Sequence, residues 1–197
     1  VSVPIGYLLS RYAFRGKKLL DSILDIPIVL PPLVIGLSLL ILFQTPVGQF
    51  IERYVQVTYA IPSVILAQFM VACAFAVRTM RNTFEQINPR HEQVALTLGC
   101  SKAQAFFRVV LPEARNGMLT ALTIAWARAM GEFGPILVFS GATRMKTEVL
   151  PTTVFLELSV GNIEAAVAVS LLMVFAALAV LVIVRQLGHE RSMEKYI

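Results

Sequence analysis

Charge is scarce in this chain: only 15% of its 197 residues are Asp, Glu, Lys or Arg, against 57% that are hydrophobic. So low a charged share excludes an ordinary soluble domain, where about a quarter of the residues are charged. With a mean hydropathy of +0.74 it indicates a membrane protein. Cysteine and histidine are nearly absent as well, two of each. None has metal-ligand spacing, and His91 and His189 read as solvated or hydrogen-bonded side chains. Cys73 lies in an apolar block and Cys100 in a polar one, so two free thiols are expected. No Gly-x-x-x-x-Gly-Lys-Ser/Thr phosphate loop occurs; the nearest text, Gly141 to Thr147, lacks the second glycine. Gly-x-Ser-x-Gly and His-Glu-x-x-His are missing too. The chain is therefore expected to be no enzyme, to hydrolyse no ATP itself and to carry no cofactor or metal.

What charge there is leans positive, +5 overall with a pI near 9.5. The basic residues are scattered and never interleave with aromatics as a stacking platform for nucleic acid would need, so no nucleic-acid partner is expected. Basic residues gathering on cytoplasmic loops give the same excess. Apolar blocks that could fill the roughly 20 helical residues of a membrane crossing predict spans at 26–43, 61–77, 118–139 and 165–184. Residues 1–9 are too short to cross and read as the end of a helix, so an N-terminal truncation is expected; a basic start and a cleavage site, the marks of a signal peptide, are lacking. The fold class expected is all-α, a polytopic helix bundle forming one transmembrane domain over 1–197.

Placing the polar stretch 78–117 in the cytoplasm puts thirteen Lys/Arg on that side: four before the second span, six in the stretch and three at the end, Arg185, Arg191 and Lys195. Arg53, Arg144 and Lys146 fall outside, an imbalance of the kind the positive-inside rule requires. Residues 44–60 and 140–164 become external connections, with a half-buried surface helix over 149–158. Asp21 and Asp25, one turn apart after Lys17, are expected to complement the positive end of a helix dipole. Pro27, Pro31 and Pro32 are tolerated in a membrane helix where neighbours satisfy the freed carbonyls, as a packing kink or as the wall of a cavity.

Arg128 and Glu132 lie inside the fourth span, four residues apart on one helix face, where they can pair and lower each other's insertion cost. They either line a permeation path or gate, or clamp helices together. Gly131, Gly134 and Pro135 beside them permit close approach or a bend.

The polar stretch has its own pattern. Val94 and Leu98, then Ala105, Phe106, Val109 and Val110, read as two short amphipathic helices. Gly99 is placed to stop the first in a left-handed conformation, Ser101 to cap the second, and Pro112 to limit it. Phe106 and Phe107 are expected to be available for docking.

Gln93-Val94-Ala95, three residues, Gly99, nine residues, Val109-Val110-Leu111-Pro112 resembles the coupling signature of binding-protein-dependent ABC permeases, E-A-A, three residues, G, nine residues, I-x-L-P. Gln93 and Val94 replace the usual Glu and Ala, and Glu92 stands one position early. Residues 19–36 are similar to the early spans of molybdate permeases. The run Ala127-Arg128-Ala129-Met130-Gly131-Glu132-Phe133-Gly134 resembles one shared by molybdate, tungstate and sulfate permeases, and Lys146-Thr147-Glu148-Val149 leans toward the sulfate branch. The resemblance implies a permease subunit of an oxyanion importer, molybdate or tungstate before sulfate or thiosulfate, in a bacterial-type inner membrane. It also implies cytoplasmic ABC ATPase subunits, an extracytoplasmic oxyanion-binding protein and a second permease subunit, as a homodimer, for partners. Gln93, Ala95, Gly99, Ser101, Phe106, Phe107, Leu111 and Pro112 would then couple to the ATPase, and Arg128, Glu132 and Gly134 would belong to the translocation path or gate. An ATP-independent carrier with Arg128 and Glu132 as its ion relay, or a membrane scaffold, are the readings from other classes.

Overall fold

The computed structural model describes residues 1–193, without the side chains of Arg185 and of residues 187–193. The closing cations Arg185, Arg191 and Lys195 thus lie outside what is described. Every element among the described residues is helical, and the axis is α5 (Ile61–Gln86). Pro62 sits in its first turn, where a missing N–H costs nothing. At 1.5 Å per residue α5 is about 39 Å long, more than the hydrocarbon thickness of a bilayer. The span expected at 61–77 is therefore the apolar part of a longer helix: Arg78 ends the apolar run, but nothing from Arg78 to Gln86 breaks a helix.

Two hydrophobic cores form at the two ends of α5. At one end Val64, Ala67 and Val71 meet Ile35, Leu39 and Phe43 of α3 (Pro32–Gln44) and Ile136 and Phe139 of α10 (Gly134–Ser140). At the other, Met80 and Phe84 meet Val110, Ala114 and Ala121, with Tyr7 of α1 (Ser2–Arg11) packed alongside. Lipid is as apolar as leucine, so helices associate by close fit more than by hydrophobic drive. Gly36 shows the fit: a methyl group there would come within 2.7 Å of the Pro135 Cα, a backbone atom that cannot swing away.

Two of the expected spans are broken. Residues 26–43 belong to two helices, α2 (Lys17–Val29) and α3, bent 117° from each other. Leu30 and Pro31 are both extended, with ψ of 142° and 136°, because a residue that precedes proline is pushed out of the helical region. The tandem prolines make a corner that packing does not straighten. Residues 118–139 likewise divide into α9 (Arg115–Met130) and α10, bent 55° across Gly131 to Phe133. Two helices, α5 and residues 163–184 of α12 (Ile163–Met193), are long and apolar enough to cross a membrane, and four crossings result if each bent pair is one span.

The aspartates of α2 do not cap it. The helix starts at Lys17, so Asp21 and Asp25 lie beyond its first turn and reach across to α5 instead. Asp21 is 2.6 Å from Arg81, which also holds Glu85 at 2.8 Å, and Asp25 pairs with Arg78. Beyond the far end of α5, α4 (Pro46–Glu52) starts on the Thr45 side chain, and the Glu52 carboxylate accepts hydrogen bonds from the Val57 and Thr58 amides. α11 (Leu150–Ser159) is the surface helix expected there, with Thr152 buried beneath it and Arg144 held 2.6 Å from Glu157. Both cysteines are free thiols.

Gly36→Val is expected to lower the thermal unfolding midpoint of the detergent-solubilised protein, at a cost of about 1–3 kcal/mol from overpacking α3 on α10. Leu37→Val, at an exposed neighbour, should leave the midpoint nearly unchanged; equal midpoints for the two variants would refute the close fit.

Candidate functional site

The polar stretch folds as a hook on the Gln86 end of α5. Asn88 opens α6 (Pro89–Thr97) by accepting the Arg90 amide proton, with Pro89 in the first turn. The helix stops on Gly99 at φ +91°, where only glycine is at ease. Cys100 N–H reaches Ala95 O and Gly99 N–H reaches Leu96 O, both at 3.1 Å, the paired bonds of a Schellman end. Ser101 and Gln104 then form a reciprocal capping box that starts α7 (Lys102–Ala105). Each of these devices acts within five residues, so the turn between the two short helices is specified locally.

The second helix does not end where proline was expected to end it. Phe106 to Val110 form a π turn, in which Leu111 N–H bonds Phe106 O five residues back. The extra residue per turn lets Pro112, which has no N–H, sit within α8 (Leu111–Glu113), and the chain passes through Ala114 directly into α9. The π turn also sets which faces point outward. Phe106 is half-buried, its ring 4.7 Å from the Tyr7 ring and 6.4 Å from Phe84. Phe107 is 64% exposed and projects with Val94 at 55% and Leu98 at 79%. Gln93 and Pro112 are also exposed, Leu111 is half-buried, and Ala95 is buried against the hook's own base.

Glu92 faces the opposite way from this apolar face. The Tyr7 hydroxyl donates to its Oε1 at 2.6 Å, and Arg11 Nε stands 3.8 Å from its Oε2. Arg11 also donates to the Ile87 carbonyl at 2.9 Å, while His91 pairs with Glu113 at 3.0 Å. Tyr7 and Arg11 carry no sequence signal of their own, since Tyr7 and Glu92 are 85 positions apart. The one available hint is the carboxylate displaced by a single residue, which turns it about 100° around α6.

The Arg128–Glu132 pair lies where α9 breaks. Its two partners are unequal: the Glu132 side chain is 5% exposed and that of Arg128 is 44% exposed. Their closest approach is 3.8 Å, an ion contact without a hydrogen bond, and the Arg128 guanidinium lies over the Phe75 ring at 4.5 Å. Gln68 of α5 donates to the Ala129 carbonyl at 3.0 Å and ties the break to the axis. Gly134 is buried against Pro32 and Leu33 at the start of α3.

Between α5 and α9, on the side of the hook, opens a cavity of about 530 Å³ lined by Thr79, Asn82, Thr83, Gln86, Asn116 and Thr120 among others. On α5 the first four fall at spacings of three, one and three, so they form one neutral polar stripe. That stripe was not read from the sequence; a Thr/Asn/Gln periodicity at helical spacing inside an apolar helix is the signal that finds it.

Residues 2–191 match the family described as binding-protein-dependent transport system inner membrane component. The sulfate transport system permease protein CysT of Salmonella typhimurium is 34% identical over 180 residues, which cover 90% of this chain and 65% of that protein. A probable molybdenum ABC transporter permease protein of Haloferax volcanii is 35% identical over 186 residues, 94% of this chain and 67% of that protein. The molybdate/tungstate transport system permease protein WtpB of Pyrococcus abyssi is 38% identical over 136 residues, 69% of this chain and 51% of that protein. The chain thus spans just under two thirds of the CysT sequence. In fold it is similar to a chain from the crystal structure of a bacterial ABC transporter involved in the import of the acidic polysaccharide alginate. The TM-score is 0.67 at 19% identity, covering 96% of this chain and 70% of that one. Matched over nearly its whole length, the chain belongs to the family of binding-protein-dependent transport system inner membrane components.

Proposed function

We propose that this chain is the permease subunit of an ATP-driven importer for a tetrahedral oxyanion, molybdate or tungstate, in a multi-pass arrangement in the inner membrane. The hook formed by α6, α7 and the π turn carries the proposal, because it offers a rigid, capped, apolar face in a chain without a phosphate-binding loop of its own. Val94, Leu98 and Phe107 are the docking surface for a cytoplasmic ATPase subunit, with Gln93 and the Gly99–Ser101 turn at its rim. Ala95, Phe106, Leu111 and Pro112 hold that surface in shape. ATP hydrolysis belongs to the partner. An extracytoplasmic binding protein delivers the ion at the α4 and α11 end, and a second permease copy completes the path.

The path runs beside α5 and α9. Arg128, half-exposed and steadied over Phe75, lends positive potential to a passing dianion, while buried Glu132 moderates it so that the ion is not trapped. Below, the neutral stripe of Thr79, Asn82, Thr83 and Gln86 supplies a wetted exit, in whose lining the acidic group is Glu113, held by His91. Work passes mechanically: closure of the ATPases moves the hook, and alternating access follows as one arrangement of the helices is favoured over another. Sulfate is the second cargo reading, supported by the 34% identical sulfate permease of Salmonella typhimurium and by the run Lys146 to Val149. Binding of molybdate, tungstate and sulfate to the partner binding protein, followed by ATP-dependent uptake of each in proteoliposomes, decides the cargo.

Gly99→Pro is expected to abolish ATP-dependent uptake while leaving the protein inserted, because proline cannot adopt a positive φ and lacks the N–H of the helix end. Normal uptake in vesicles would refute the coupling role. Paired Leu98→Ser and Phe107→Ser should release the ATPase subunit on purification without lowering the amount of membrane-inserted permease; full retention would move the docking face elsewhere. Arg128→Ala should reduce transport about tenfold with the ATPase still attached, on the scale of 1.4 kcal/mol per tenfold; loss of assembly would mark the pair as a helix clamp.

A further inference from the structure

We propose that Tyr7 is a transmission joint through which movement of the hook is imposed on α1, with Glu92 and Arg11 as the positioning residues that hold it closed. The inference rests on the permease reading and adds a second route to it. In the direct route, force entering at α6 and α7 continues along the chain through α8 into α9. The contacts around Tyr7 describe another.

Tyr7 touches three elements at once. Its ring stands edge-on to Phe84 of α5 at 5.5 Å and to Phe106 of the π turn at 4.7 Å. Its hydroxyl donates to Glu92 of α6 at 2.6 Å. Arg11, one turn further along α1, adds a second hold on the same segment: it donates to the Ile87 carbonyl at 2.9 Å, just before α6, and its Nε lies 3.8 Å from the Glu92 carboxylate. Arg11 and Glu92 are only 11% and 16% exposed, and among the described residues Arg11 Nε has no hydrogen-bond partner. A guanidinium N–H buried without a partner, beside a carboxylate slightly too distant to accept from it, is a poor design for a static clamp. It suits a contact that tightens in a second arrangement, where Arg11 and Glu92 close to hydrogen-bond distance.

Direction matters here. α1 and α6 are joined by no short stretch of chain, so the hook can shift relative to α1 unless these side chains prevent it. The docking face of Val94 and Leu98 is on one side of α6, and Glu92 is on the other. A push on the first is therefore delivered through the second, and α1 receives it in addition to α9. Gln93, where the signature of such permeases has glutamate, leaves the carboxylate of this chain committed inward.

Two conservative variants test this in the full-length permease, co-purified with its ATPase and binding protein and reconstituted in proteoliposomes with molybdate, and separately sulfate, as the transported probe. Tyr7→Phe keeps the ring packing and removes the donor; Glu92→Gln keeps the shape and removes the charge facing Arg11. The quantity read is ATP hydrolysed per ion imported. Each variant is expected to keep binding-protein-stimulated ATP hydrolysis and to lower uptake, raising that ratio by about three- to tenfold, within the scale on which residues between two sites alter their coupling. Spin labels on α1 and α6 should show a distance change on ATP binding that follows the hook in the wild type and is lost in Tyr7→Phe. An unchanged ratio overturns the proposal, and so does a parallel loss of ATPase subunit and uptake, which would make the cluster purely architectural. Absence of ATP-dependent uptake in the wild type would overturn instead the permease reading beneath it.

Discussion

The aromatic junction of Tyr7, Phe84 and Phe106 is the contact on which the rest of the hook end depends. Edge-on ring pairs contribute about 0.5–1.5 kcal/mol each beyond the area they bury, and here three rings come from three separate stretches of chain. A hook made of α6 and α7 alone, nine and four residues long, is too short to be stable as free helix. Docking Phe106 between α1 and α5 converts local capping into a fixed orientation. With that ring taken inward, the next residue, Phe107, is turned out, and the apolar face of the hook is set.

The same logic orders the opposite end. α3 and α10 each begin just after a break in the chain, and the two breaks meet: Gly134 lies against Pro32 and Leu33, Gly36 against Pro135, and Phe43 stacks near Phe139 at 5.4 Å. Two bent helices packed at their bends hold each other's corners in place. The protein thus has two compact ends joined by α5, with the ion pairs from Asp21 and Asp25 on one flank and the neutral polar seam toward α9 on the other.

How much of this was legible in the sequence depends on how far apart the interacting residues are. The stop at Gly99, the cap at Ser101 and the start of the surface helix near Val149 were legible because each is a matter of three to five neighbouring residues. The corner at Leu30–Pro31 was legible as a kink, because the constraint that proline puts on the residue before it is local; its size, 117°, was not. Phe106 and Phe107 were both expected to face outward; which of two adjacent rings turns inward depends on Tyr7 and Phe84, which lie far away along the chain. The roles of Asp21, Asp25, Tyr7 and Glu92 were not legible, since their partners are 53 to 85 positions away and nothing in a single sequence pairs them.

The unequal burial of Arg128 and Glu132 bears on what a permease can do with an intramembrane ion pair. Two equally buried charges at 3.8 Å would be a clamp, expensive to separate and indifferent to a passing ion. Here only the carboxylate is sealed in; the guanidinium keeps one face on Phe75 and leaves the rest accessible. The separation of the two groups is set at the break, since Arg128 belongs to α9 and Glu132 to the three residues between α9 and α10. Under the proposed permease reading, a change of that bend would alter how far the carboxylate offsets the guanidinium, so a movement of the hook would reach the site as a change of potential.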